Sequence, residues 1–162
     1  MDKLKVQISN LQKEIKIPTG IRLLIRKCGH AVLQSEEMHG NYEVSVSFLD
    51  DAEIRELNRN FRKIDAATDV LSFPTKKEDG RFETNRETGA AMLGDIAISV
   101  PKVYSQADQF GHSIQREFAY LTVHSMLHLL GYDHEAAEDK ARMRTEEERV
   151  LAAAGLMRRR ED

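Results

Sequence analysis

The residues predict an α+β domain, and three patterns carry that expectation. Four short stretches either alternate apolar and polar residues or concentrate β-branched and aromatic ones, as strands do. Around them run five segments with apolar residues three and four apart, the spacing of helices packed by one face. Gly, Pro, Asp and Ser fall at the joints between the two kinds of segment.

Leu4, Val6 and Ile8 alternate with polar residues as a half-buried strand would. Pro18 then opens a helical pattern running to about Met38 through Ile21, Leu24, Ile25, Cys28, Val32 and Leu33, which makes Cys28 a core residue. Residues 42 to 49, YEVSVSFL, alternate cleanly, and Asp50 or Asp51 can cap a helix that carries Ile54, Leu57 and Phe61 on one face. TDVLSFP at 68 to 74 reads as a strand ended by Pro74, and LGDIAIS at 93 to 99 as another. The polar connection between them, KKEDGRFETNRETGAAM, is too long for a simple hairpin turn; it is expected to be a surface loop, with a lid over a site as the alternative.

Pro101 begins a short helix that Gly111 interrupts, and Ser113 can cap the next one, about 114 to 130. That helix has apolar residues on nearly every side, so it is expected to be buried, and Gly131 stops it. A last amphipathic helix, about Glu135 to Ala154, carries Met143, Val150 and Leu151.

The 162 residues suit one domain, with an ordinary soluble balance of 41% hydrophobic and 31% charged residues. A single cysteine excludes an intramolecular disulfide and a cysteine-based zinc ribbon, so any metal depends on histidine. A net charge of −3 argues against gripping nucleic acid through a broadly basic surface. Arg55, Arg59, Arg62 and Lys63 could still form a local basic groove, although on charge alone they read as a solvated helix face. The longest uncharged apolar run, Val150 to Met157, is too short for a membrane span, and the charged MDKLKVQIS start lacks the form of a secretory signal; a cytoplasmic protein is expected.

The stretch HSMLHLLGYDH sets His124, His128, Gly131 and His134 at the spacing of the metzincin protease signature HExxHxxGxxH, with Ser125 in place of the glutamate base. His124 and His128 share one helix face, about 6 Å apart in rise, and Gly131 can reverse the chain so that His134 returns to it. Three neutral imidazoles suit zinc and leave a position open, which points to catalysis rather than to a structural metal. Two histidines on a buried helix would be costly without a partner, so separate core packing is the weaker reading. His30, His39 and His112 have no such company and read as surface or capping residues. Ser125 lies about 100° around the helix from His124 and has no basicity to replace a carboxylate. Asp133 and Glu135 flank His134 and could substitute as base, orient a ligand imidazole, or cap the following helix.

With these residues in view, the chain resembles the YbeY family of bacterial ribosome-associated, metal-dependent endoribonucleases, whose histidine motif is close to HGxLHLxGYDH. The departure here is serine at 125. The resemblance extends to LNRNFR at 57 to 62, TDVLSFP at 68 to 74, LGDIAI at 93 to 98 and, more loosely, EEERVLAAAGLMR at 146 to 158. It implies a zincin-like α+β fold: a small mixed sheet of about four strands packed with helices, and a metal-binding helix followed by a glycine turn. It also implies one zinc held by His124, His128 and His134, a functional role for Arg62, and cleavage of single-stranded RNA in maturation of the small-subunit ribosomal RNA 3′ end and in ribosome quality control. Ribosomal RNA, the ribosome or small-subunit assembly proteins would be its partners.

The chemistry is coherent with that implication. Zinc lowers the pKa of bound water toward neutrality and polarises phosphoryl oxygens, so phosphodiester cleavage needs no carboxylate at position 125. An arginine fork suits the charge developing at phosphorus, which gives Arg62 a part. Two other readings stand beside it: a non-catalytic assembly factor with a structural metal, and a zinc protease lacking its usual base.

Overall fold

The computed structural model describes residues 3–133 and 135–156. Five strands form one mixed sheet: β1 (Lys3–Asn10), β2 (Asn41–Leu49), β3 (Val70–Pro74), β4 (Glu83–Thr84) and β5 (Ala91–Ser99). Its order is β1-β2-β5-β3, with β4 also on β5. β1 and β5 run parallel to β2, whereas β3 and β4 pair antiparallel with β5. The central β5 is buried along nearly all its length, as a strand covered on both faces should be. Its exception is the exposed Asp95.

Five helices complete the chain: α1 (Ile21–Ser35), α2 (Asp51–Arg62), α3 (Val100–Phe110), α4 (Ile114–Leu129) and α5 (Ala137–Ala153). α1 and α4 pack together on one face of the sheet with α5 against both. Phe48, Ile96, Ile98, Phe118, Met126 and Leu127 are fully buried between these layers. α2 covers part of the opposite face over a separate apolar cluster of Leu49, Ile54, Leu71 and Ala97. None of the described helices is long and apolar enough to cross a membrane.

Capping residues set most boundaries as the sequence indicates. Asp50 and Glu53 form a reciprocal capping box at α2, and the hydroxyls of Ser99 and Ser113 accept from the third backbone N–H of α3 and α4. α1 starts three residues later than Pro18, because Gly20 takes a left-handed conformation (φ 90°) that breaks the pattern before Ile21; Glu37 ends it at φ 54°. Phe61 does not join the buried face of α2: it is 67% exposed and meets only the edge of Phe73, with ring centroids 5.5 Å apart.

The polar connection at 76 to 92 is not a lid. Its second half is a hairpin, β4 against the start of β5, closed by the Asn85 N–H to Ala90 carbonyl bond and tied to β2 through Asn85 and Thr88 on Glu43. Its first half is pinned by Lys76, whose ammonium donates to the Leu130 carbonyl at 2.8 Å. That carbonyl is one of those left unpaired at the end of α4, so the contact also caps the helix.

Gly94 is where sheet and helix come closest. An extra residue, Leu93, bulges β5 between the Glu43–Met92 and Val44–Gly94 pairs. Gly94 takes φ 144°, and a Cβ there would stand 2.3 Å from the Phe73 carbonyl oxygen and 2.9 Å from Leu129. The absent side chain lets β3 and α4 converge, and the cleft described next opens between them.

Candidate metal centre and cleft

Beyond its first turn, α4 is buried except along the side of Tyr120, His124 and His128. Ser125 next to His124 is fully buried, and its hydroxyl has no hydrogen-bond partner among the described residues, so it can act neither as base nor as ligand. His124 and His128 come together on the opposite side, with Nε2 atoms 3.2 Å apart. Each Nδ1 is engaged elsewhere: that of His124 lies 2.5 Å from a carboxylate oxygen of Glu147, and that of His128 3.0 Å from the Tyr132 carbonyl. A carbonyl only accepts, so the His128 Nδ1 donates to Tyr132, and a neutral ring held by Nδ1 in this way turns Nε2 toward a metal as its ligand atom.

At that distance the two Nε2 atoms can share a hydrogen or hold a cation between them. Nitrogens bound tetrahedrally at about 2.05 Å from a zinc ion would stand about 3.3 Å apart, close to the observed 3.2 Å. The pair thus fits a metal, with the Nδ1 partners acting as metal-bound histidines usually require. His134, the third residue of the motif, lies outside the described residues, and among the described ones no three His, Cys, Asp or Glu side chains gather to hold an ion.

The turn after α4 is built for reversal. The Tyr132 N–H donates to the Leu127 carbonyl and the Gly131 N–H to that of His128, a Schellman motif with Gly131 at φ 107°. The same turn aims the Tyr132 carbonyl back at His128. Asp133 accepts from the Glu135 N–H within the turn and does not cap α5, whose N-cap is Ala136 with no side-chain bond. The residue that orients His124 is instead Glu147 of α5, 8% exposed, while the His124 side chain is 22% exposed. A signal for it exists in the sequence: Glu147 sits on the apolar stripe of α5 formed by Met143, Val150 and Leu151, where a carboxylate needs a partner.

A cleft of about 390 Å³ opens over the histidine pair, walled by Thr68, Asp69 and the edge strand β3, with Arg62 at its rim. Arg62 has no ion pair or hydrogen bond among the described residues, so its guanidinium is available to an anion. Its neighbours are not: Arg55 pairs with Asp65 at 2.8 Å, Arg59 with Glu56 at 3.4 Å, and the Lys63 ammonium bonds the Asn60 carbonyl. The basic cluster of α2 therefore contributes Arg62 alone to the cleft. His112 is not the surface or capping residue expected: its Nε2 lies 2.7 Å from Glu117, which is 1% exposed and also accepts from Gln106, itself bonded to Asp69. His30 and His39 are exposed, as read.

The mixed sheet, the histidine-bearing helix and the cleft between them define an α+β protein whose candidate site brings His124, His128, Asp69 and Arg62 to one cavity. The chain belongs to the YbeY endoribonuclease family: the family profile described as Endoribonuclease YbeY matches residues 7–155. A relative of that name from Caldanaerobacter subterraneus subsp. tengcongensis is 46% identical over 159 residues, covering 96% of this chain and all of its own. One from Clostridium botulinum is 42% identical over 165 residues, covering 94% and 99%. The solution structure of TM1509 from Thermotoga maritima superposes with a TM-score of 0.54 at 26% identity, covering 91% of this chain and 90% of that one. The α+β fold expected from the sequence is the fold observed, with β4 added to the four strands anticipated.

Proposed function

We propose that this chain is a single-strand-specific, metal-dependent endoribonuclease, one domain over residues 1–162, acting in maturation of the small-subunit ribosomal RNA 3′ end and in ribosome quality control. Its substrates are single-stranded and ribosomal RNA, its partners the ribosome or small-subunit assembly proteins, and its compartment the cytoplasm. His124, His128 and His134 hold one zinc ion. The observation that carries the reading is a cleft that contains both a pair of Nε2 atoms at metal spacing and an arginine with no ion pair among the described residues. The relatives' shared name, Endoribonuclease YbeY, supports RNA as the substrate.

When bound there, the ion supplies Lewis acidity toward a phosphoryl oxygen and lowers the pKa of water. The chain's own residues do the rest. Glu147 and the Tyr132 carbonyl hold the imidazoles by Nδ1, the orientation in which Nε2 is the nitrogen turned to the metal position. Arg62 offers a planar fork to the phosphate oxygens and stabilises charge as it develops there. The protease alternative loses support, because Ser125 is sealed in the core.

The test is cleavage of a labelled RNA bearing a single-stranded 3′ tail by wild-type protein, His128→Ala and Arg62→Ala. Cuts in the single-stranded part that vanish with His128→Ala, and weaken with Arg62→Ala while metal content stays normal, are expected. Equal cutting by all three, or none by any, overturns the nuclease reading and moves the assembly-factor role to first place.

A further inference from the structure

On the far side of His124 from Arg62 lies a second cavity, about 320 Å³, running as a groove between α4 and α5. Tyr120 and His124 stand one turn apart on α4 with ring centroids 5.7 Å apart and planes only 31° from parallel. At the other end Phe110, 53% exposed, leans against His112 at 6.0 Å. Met143 and Leu151 of α5 give the groove an apolar floor. The stretch of α4 from Glu117 to His124 alone spans about 10 Å of rise.

The rim of the groove offers cations to an anionic strand. The acids Glu117 and Glu147 lie deeper, hydrogen-bonded to His112 and His124. Lys140 and Arg144 at the rim make no ion pair among the described residues, and of the acids only the exposed Glu148 opposes them. The Tyr120 hydroxyl likewise has no hydrogen-bond partner among the described residues.

We propose that this groove holds the bases of the RNA flank that leads away from Arg62, with Tyr120 and Phe110 as stacking platforms and Lys140 and Arg144 over the backbone. The proposal rests on the endoribonuclease reading and deepens it. Only unpaired bases can leave their stack to lie on an aromatic ring, so the groove makes the enzyme select single strands. Continuity supports the path, since His124 lines both the groove and the Arg62 cleft. A strand crossing the histidine pair has each flank in one of them.

The experiment is steady-state cleavage of single-stranded oligoribonucleotides by wild-type enzyme and by Phe110→Ala, a substitution at an exposed helix end that leaves the core untouched. A parallel set of substrates carries abasic nucleotides at successive positions on either side of the cut. We expect Phe110→Ala to raise KM about tenfold with kcat nearly unchanged. Abasic positions on one flank only should reproduce that loss with the wild-type enzyme, and the two changes together should cost no more than either alone. An active wild-type enzyme whose KM ignores both the substitution and the abasic positions overturns the groove and leaves the nuclease reading standing. A metal-loaded wild-type enzyme that cuts none of the oligonucleotides overturns the reading beneath it.

Discussion

Glu147 reaches from α5 to within 2.5 Å of the Nδ1 of His124, although the two residues are 23 apart in the chain. Both are largely shielded from water, so the carboxylate holds the ring in one orientation, with Nε2 turned into the cleft. Glu147→Ala is therefore expected to lower metal affinity by about 10- to 100-fold, with Glu147→Gln between it and wild type. Competition against a chelator of known affinity measures this, and circular dichroism checks that the fold persists. Unchanged affinity in both variants would assign Glu147 a packing role only.

Ser125 gives a prediction of opposite sign. Its hydroxyl is buried without a partner, which costs stability, and it touches no part of the cleft. Ser125→Ala should stabilise the protein by about 1 kcal/mol, raising Tm by roughly 2–4 °C. RNA cleavage should be unaffected. A drop in Tm would reveal a hydrogen bond or water that the hydroxyl serves.

Gly94 admits no side chain. A Cβ would overlap the Phe73 carbonyl, a backbone atom that cannot swing away as a side chain could, and φ 144° adds strain of its own. Gly94→Ala should cost roughly 3 kcal/mol or more, read as a shift in the denaturation midpoint. The control is Gly131→Ala, whose Cβ would meet the flexible end of Lys76 at 3.2 Å. It should cost only about 1–2 kcal/mol, from the left-handed backbone, while weakening metal binding through the displaced turn.

Two carboxyls and a phenol meet where the end of α1, α5 and the Gly131 turn come together. Glu36 accepts from the Tyr132 hydroxyl at 2.9 Å and faces Glu146, which Ser35 and Arg149 also contact. Burial, then the hydrogen bond and charge of Glu146, push the Glu36 carboxyl up to about 7. Burial also works against an ionised Glu146, but hydrogen bonds from Glu36 and Ser35 and the Arg149 guanidinium more than offset it and hold Glu146 below the usual carboxylate range. Because the folded state binds the Glu36 proton more tightly than the unfolded chain, the stability it contributes is complete below about pH 4.5 and is lost as pH rises through about 7. Wild-type Tm should fall between those values, and Glu36→Gln, which keeps a neutral partner for Tyr132, should flatten the slope. A wild-type profile unaltered by Glu36→Gln would place the shared proton elsewhere.

Local rules were sufficient for much of this molecule because their causes are local. The cap at Asp50, the strand at 42 to 49 and the stop at Gly131 each depend on a few adjacent residues and reappear in the structure within a residue or two. The same holds for the pairing of His124 with His128, since a four-residue spacing on one helix brings two side chains to one face. The loop at 76 to 92 failed that test: its short strand has no apolar signal and exists because β5 offers an edge beyond the end of β3.

By itself, then, the sequence determined the α+β class, the buried helix, the histidine pair and the exclusion of Ser125 as a base, all consequences of periodicity and side-chain chemistry. Tertiary structure alone decided that Glu147, rather than Asp133 or Glu135, orients His124, that Arg62 is the one arginine of its cluster to reach the cleft, and that His112 is locked to a buried glutamate. Those outcomes depend on how α2 and α5 lie against α4 and the sheet. Nothing in the order of residues along one helix encodes where a second helix will set its charges down.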